Sequence, residues 1–135
     1  MKITKVYDRK YNGRRIIVMY HSFEHLPEEL NDGFMMNWYC GYMEILASDK
    51  DYTAVNENEC PADEDCVVAL YPSAIGWVNW VGCFPQEGID DNNNYVGFST
   101  DHYFPNKYQP TLKDVIKSLH DMVDKDQVAI NGGKQ

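Results

Sequence analysis

Apolar and polar positions change their spacing several times along the chain, and each change marks an element. Ile3 to Tyr11 and Arg14 to Tyr20 are β-rich runs separated by Asn12-Gly13. That dipeptide most readily takes the two positive φ values of a tight turn, so an N-terminal hairpin is predicted. Pro27-Glu28-Glu29-Leu30-Asn31-Asp32-Gly33 reads as one short helical turn or a loop, with proline at a first helical position and glycine able to end it. From Phe34 to Leu46 the chain is nearly continuous aromatic and aliphatic, broken by Asn37, Gly41 and Glu44, which predicts a long buried strand bulged at Gly41. Residues 47–65 are polar and acidic, a surface excursion long enough to hold ordered structure or a flap. Val67 to Tyr71 reads as a strand stopped by Pro72. Ile75 to Phe84 reads as another, with Ile75, Trp77, Asn79 and Val81 on one face and Gly76, Val78, Trp80 and Gly82 on the other. Pro85 to Asn94 is a turn-rich acidic loop, Tyr95 to Thr100 a final strand, and Asp101 to Pro110 irregular.

Helical spacing is clearest at the end. Thr111 is placed to cap, Asp114 follows three residues on, and Leu112, Val115, Ile116, Leu119, Met122 and Val123 recur on one side. Lys113, Lys117, Asp121, Asp124 and Lys125 line the other side, and His120 is expected at the surface. Strands first and one amphipathic helix last predict an α+β fold: an antiparallel sheet of about five or six strands with the helix on one face. Residues 1–126 form a single domain and 127–135 a flexible tail with Gly132-Gly133. A chain of 135 residues is too short for two full cores.

Composition narrows the function. With 13% aromatic and 44% hydrophobic residues the chain can bury enough surface to fold. No run reaches the ~20 apolar residues of a membrane span. Met1-Lys2-Ile3-Thr4-Lys5 lacks the apolar segment of a signal peptide, so a cytoplasmic location is expected, in a bacterial host on the reading reached below. Net charge is -9 but unevenly spread. Lys2, Lys5, Arg9, Lys10, Arg14 and Arg15 face only Asp8 in the first twenty residues, whereas residues 49–91 carry ten acids against Lys50 alone. Such a balance repels nucleic acid and argues against duplex binding. The acidic stretches are either solvated loops or a face that occupies another protein's nucleic-acid groove, with Asp63, Glu64, Asp65, Asp90 and Asp91 at its centre.

Reactive side chains are sparse. Cys60 and Cys66 are separated by five residues, wider than the two to four of common zinc sites. They could close a loop as a disulfide under oxidation, while Cys40 and Cys83 sit in apolar runs as small hydrophobes. His21 and His25 lack the intervening glutamate position of a zinc hydrolase. No metal and no cofactor are expected. His102, after Asp101 at a strand end, is the one candidate base. No glycine loop for phosphate exists, so phosphate would be met by arginine, and Arg9, Arg14 and Arg15 all flank the hairpin turn. The bland alternative is a basic hairpin that protects a sheet edge. Trp38, Tyr39, Tyr42, Tyr71, Trp77, Trp80, Tyr95 and Phe98 fall on both faces of predicted strands, more rings than one helix can cover. The surplus predicts a nucleobase pocket, a homodimer interface or a partner surface.

Three segments in order add a resemblance. Trp38-Tyr39-Cys40-Gly41-Tyr42-Met43, then Tyr71-Pro72-Ser73 with Ile75 to Trp77, then Gly97-Phe98-Ser99-Thr100-Asp101-His102 precede the terminal helix. Over residues 1–125 this order resembles a family of small phage- and prophage-encoded proteins with Cys-Gly-Tyr-Val, His-Gly-Gly and Gly-Phe-Asp-Cys-x-His segments. Cys40-Gly41-Tyr42, Gly97-Phe98 and His102 are the matching positions, and Tyr71-Pro72-Ser73 stands in place of His-Gly-Gly. The resemblance implies context more than chemistry: an accessory, counter-defence phage product that acts by binding. The leading expectation is a homo-oligomeric protein that sequesters a small nucleotide-like signal without turning it over, through Arg14, Arg15, Trp38, Tyr42, Trp77, Trp80 and His102. The alternative is an acidic inhibitor of a host nucleic-acid-binding protein, of the anti-CRISPR kind. A small hydrolase using His102 is third, and the balance falls against an enzyme.

Overall fold

Asn12 and Gly13 take φ of 51° and 85°, the two positive values their types allow, and fold β1 (Lys2–Tyr11) back on β2 (Arg14–Ser22). The computed structural model describes residues 2–22, 37–46, 48–49, 70–82, 93–100 and 110–127, and the structural statements here concern these. β2 pairs with β3 (Asn37–Ile45), β3 with β5 (Asn94–Ser99), and β5 with β4 (Val78–Gly82). The result is a five-stranded antiparallel sheet in the order β1-β2-β3-β5-β4.

α1 (Leu112–Asp121) starts where the sequence places it. The Thr111 hydroxyl accepts from the Asp114 N–H at 3.2 Å and the Asp114 carboxylate accepts from the Thr111 N–H at 3.0 Å, a reciprocal cap. The helix continues through a π-helical turn, Met122–Asp126. Gln127, expected in the tail, is buried and accepts a hydrogen bond from the Tyr71 hydroxyl at 3.4 Å. Val115, Leu119, Met122 and Val123 press onto Ile16, Val18, Met43, Val96 and Phe98, forming the main core on one face of the sheet. The molecule is thus α+β, a sheet with one helix packed across it. No helix among the described residues is long and apolar enough to cross a membrane.

Several details differ from the pattern in the sequence. β3 runs through Gly41 without a bulge, pairing Gly41 with Val18 on one side and Phe98 on the other. The irregularities fall instead at Val6 in β1 and between Val78 and Trp80 in β4. The second one puts Val78 and Val81 together against the helix and Trp80 on the opposite face, a regrouping that strict alternation does not foresee. Leu70 and Tyr71 belong to no strand, and Ile75 to Trp77 are irregular residues leading into a shorter β4.

The face away from the helix is not bare. Ile17, Met19 and Tyr95 are buried there, with Tyr42 and Trp80 packed against them. The expectation that only one face is core is therefore corrected: part of the aromatic surplus packs a second cluster. Gly41-Tyr42 lies antiparallel to Gly97-Phe98, so that each ring covers the glycine opposite. A Cβ at Gly41 would stand 2.7 Å from Phe98 Cζ, and one at Gly97 would stand 2.6 Å from Tyr42 Cδ1. These four residues pack the sheet, ring on glycine.

Candidate functional site

Alternation along β2 sends the neighbours Arg14 and Arg15 to opposite faces. Arg14 goes to the helix side and is buried. Its guanidinium donates to both Asp49 oxygens, Nη1 to Oδ2 at 2.8 Å and Nη2 to Oδ1 at 2.5 Å, and to the Glu44 carbonyl at 3.3 Å. Asp49 also accepts the Leu46 N–H at 2.8 Å, so this pair closes the chain just after β3. Arg14, one of the residues expected to meet phosphate, is thereby engaged as a buried counter-ion.

Arg15 points the other way, into a cleft of about 330 Å³ lined by Asp8, Arg9, Lys10, Arg15, Glu44 and Asn93. Arg15 donates through Nε and Nη2 to Asp8 at 2.7 and 2.6 Å, and Lys5 Nζ donates to Asp8 at 2.7 Å. The Arg15 hydrogen bond is the main reason the Asp8 carboxyl is held down to about 2 from an ordinary 3.8. On the far wall, Glu44 accepts from the Arg15 backbone N–H at 2.9 Å and from Asn93 Nδ2 at 2.5 Å. Glu44 thus takes over the Arg15 amide where the β2–β3 ladder stops at Ile16 and Met43. Arg9 and Lys10 have no carboxylate partner among the described residues, although Arg9 lies 5.9 Å from the centre of the Tyr7 ring. Of the lining cations, Lys10 and Arg15 share the cleft face of the sheet, whereas Arg9, between Asp8 and Lys10 on β1, turns its guanidinium to the Tyr7 side.

The other expected ligand residues divide. Trp38, Tyr42 and Trp80 lie on the same face as Arg15 but do not line the cleft. Trp38 stacks on His21 with ring centres 5.3 Å apart, at the other end of β3, roughly 20 Å from Glu44 along the strand. Tyr42 meets Trp80 edge-on at 5.5 Å. Burial pushes the Tyr42 hydroxyl well above its ordinary range. Trp77 is 46% exposed on the segment before β4. His102 and the acidic residues Asp63, Glu64, Asp65, Asp90 and Asp91 lie outside the described residues, as do Cys60 and Cys66.

Asp8, Lys10, Glu44 and Asn93 escaped the sequence-based reading, while Arg9 entered it only as one of three arginines flanking the turn. Two signals pointed to Asp8 and Glu44: Asp8 is the only acid in a basic hairpin, and Glu44 the only charge in an apolar strand.

Two further polar clusters fix the frame around the cleft. At the hairpin tip Tyr11 stacks on His120 at 3.8 Å, its hydroxyl donates to Asp124 at 2.5 Å, and Asn12 donates to Asp124 at 2.9 Å. His120 is therefore part of a helix-to-hairpin contact rather than a simple surface residue. Beside the π-helical turn, buried Asp126 accepts from the Ser73 N–H at 2.9 Å and hydroxyl at 2.8 Å. Ser118 donates to the Ser73 carbonyl at 2.7 Å and accepts from the Ile75 N–H at 3.1 Å. No group of three His, Cys, Asp or Glu among the described residues is placed to hold a metal ion. Compared with protein-family models, with curated proteins and with solved structures, the chain matches none.

Proposed function

We propose that the chain is a binding protein for a small nucleotide-like anion, held without turnover in the cleft beside the hairpin. The observation that carries the reading is the meeting of Lys10 and Arg15 on one side with Glu44 and Asn93 on the other. Cations suit phosphate oxygens, and the carboxylate and amide opposite suit sugar hydroxyls or a base edge. A volume of about 330 Å³ is at the small end of ligand pockets, room for one nucleotide rather than an oligomer. Both carboxylates are already engaged, Asp8 by Arg15 and Lys5 and Glu44 by Arg15 and Asn93. An acid held near 2 is a poor proton carrier at neutral pH, which favours holding a ligand over reacting with it. The phage-family resemblance supports an accessory, counter-defence role of the sequestering kind.

Thermal shift against linear and cyclic nucleotides and inorganic phosphate tests this. A ligand at 100 times its Kd adds about 2.7 kcal/mol, a rise of several degrees for a chain of this size. The rise should occur with at least one nucleotide and vanish in Lys10→Glu, which reverses a charge on the cleft face. A flat response to the whole panel removes the proposal.

A further inference from the structure

β1 ends the sheet: its inner side pairs with β2, and no described strand lies on its outer side. An edge of this kind presents amide and carbonyl groups that an added strand can complete. Two of the exposed large apolar side chains, Ile3 at 46% and Val6 at 38%, sit on this strand. Its cations outnumber its acids, with Lys2, Lys5, Arg9 and Lys10 against Asp8. Asp8 is shared by Lys5 and Arg15, so Lys2, Arg9 and Lys10 remain without a carboxylate partner among the described residues.

Self-pairing is the obvious use of a bare edge, and two features oppose it. Two copies joined along β1 would bring strands of like net charge together, and the extra residue at Val6 interrupts a flat edge. The Val6 irregularity meets any added strand alike, whereas the charge repulsion turns to attraction for a strand of the other sign. We propose that the outer edge of β1 docks an extended acidic segment of a partner protein, which adds as a sixth strand. Backbone hydrogen bonds supply the affinity, Lys2, Arg9 and Lys10 select carboxylates, and Ile3 and Val6 take up apolar side chains of the guest. Lys10 is common to edge and cleft, whereas Lys2, Ile3 and Val6 serve the edge alone, so the two proposals can fail separately.

The probe is a fluorescein-labelled octapeptide alternating Glu and Val, titrated against the full chain by fluorescence anisotropy at low and high salt. It is run beside the same peptide N-methylated on amides of both edges and a version with Lys for Glu. The acidic peptide should bind saturably and more weakly at high salt, and the Lys version should not bind. N-methylation should weaken binding by roughly tenfold or more, the equivalent of one or two lost backbone hydrogen bonds. Lys2→Glu/Ile3→Glu should lose binding while keeping the wild-type thermal midpoint and any nucleotide-induced shift. If that variant does not fold, the N-methylated peptide still decides. Absence of saturable binding, or equal binding of the N-methylated peptide, overturns the proposal. So does sedimentation showing a dimer that Lys2→Glu/Ile3→Glu separates, because the edge would then be occupied by a second copy.

Discussion

Arg14 and Arg15 are neighbours in sequence and opposites in situation. On the helix face the Arg14–Asp49 pair has side chains only 9% and 5% exposed, with further hydrogen bonds to the Glu44 carbonyl and the Leu46 amide. On the other face the Arg15–Asp8 pair is 18% and 21% exposed and borders a cleft. Both are two-pronged contacts of similar length, so geometry alone would rank them equal. The surroundings do not. A buried charge that loses its partner has no water to turn to, whereas a charge at a cleft wall is partly solvated. One face uses an ion pair to close the fold, and the other keeps one where solvent can reach it.

The largest effect separating the two should come from Asp49→Ala, which strands the Arg14 charge and should cost about 3–5 kcal/mol in urea denaturation. Asp8→Ala should cost about 0–1 kcal/mol in the same assay. Equal losses would mean that the two faces are not distinct. Next in size are the glycines beneath the rings. Gly41→Ala forces its methyl against buried Phe98, with Val115 Cγ1 only 3.1 Å from the added methyl, and should destabilise by about 1–3 kcal/mol. Gly97→Ala meets Tyr42, which is less enclosed and can shift, so its loss should be the smaller one.

The smallest effect is read in acid. Asp8 is more acidic folded than unfolded, so its contribution is present above about 4 and fades as pH falls through about 2. Solvent at the cleft limits it to about 1 kcal/mol at most, within the range expected for Asp8→Ala. Asp126 has the reverse sign: burial raises its carboxyl, so protonation favours the folded state and that contribution fades as pH rises through the raised value. In stability curves from pH 5 to 2, Asp8→Asn should flatten the acid loss and Asp126→Asn should steepen it.

The elements legible in the chain were those whose signals are local. Asn12-Gly13 contains its own turn, and Thr111 with Asp114 contains its own cap. The fate of Arg14 was not legible, because its partner Asp49 is 35 residues away and nothing nearby identifies it. The Val78–Trp80 irregularity also lacks a local marker, and it overturned the assignment of faces in β4. The second buried cluster was missed because covering one face with a helix does not require the other to be open. Arg15 was legible as an arginine flanking the turn; Glu44 and Asn93 reach the same cleft only because β3 and β5 are neighbours in the sheet.

Tyr11 and Asn12 grip Asp124 across more than a hundred residues, and α1 supplies a whole side of the main core. During translation the hairpin can form soon after it emerges, yet Ile16 and Val18 stay uncovered until the terminal helix has been synthesised. A ribosome stalled before residue 112 should therefore carry a sticky, half-built sheet, and the nascent chain depends on α1 to become safe from aggregation.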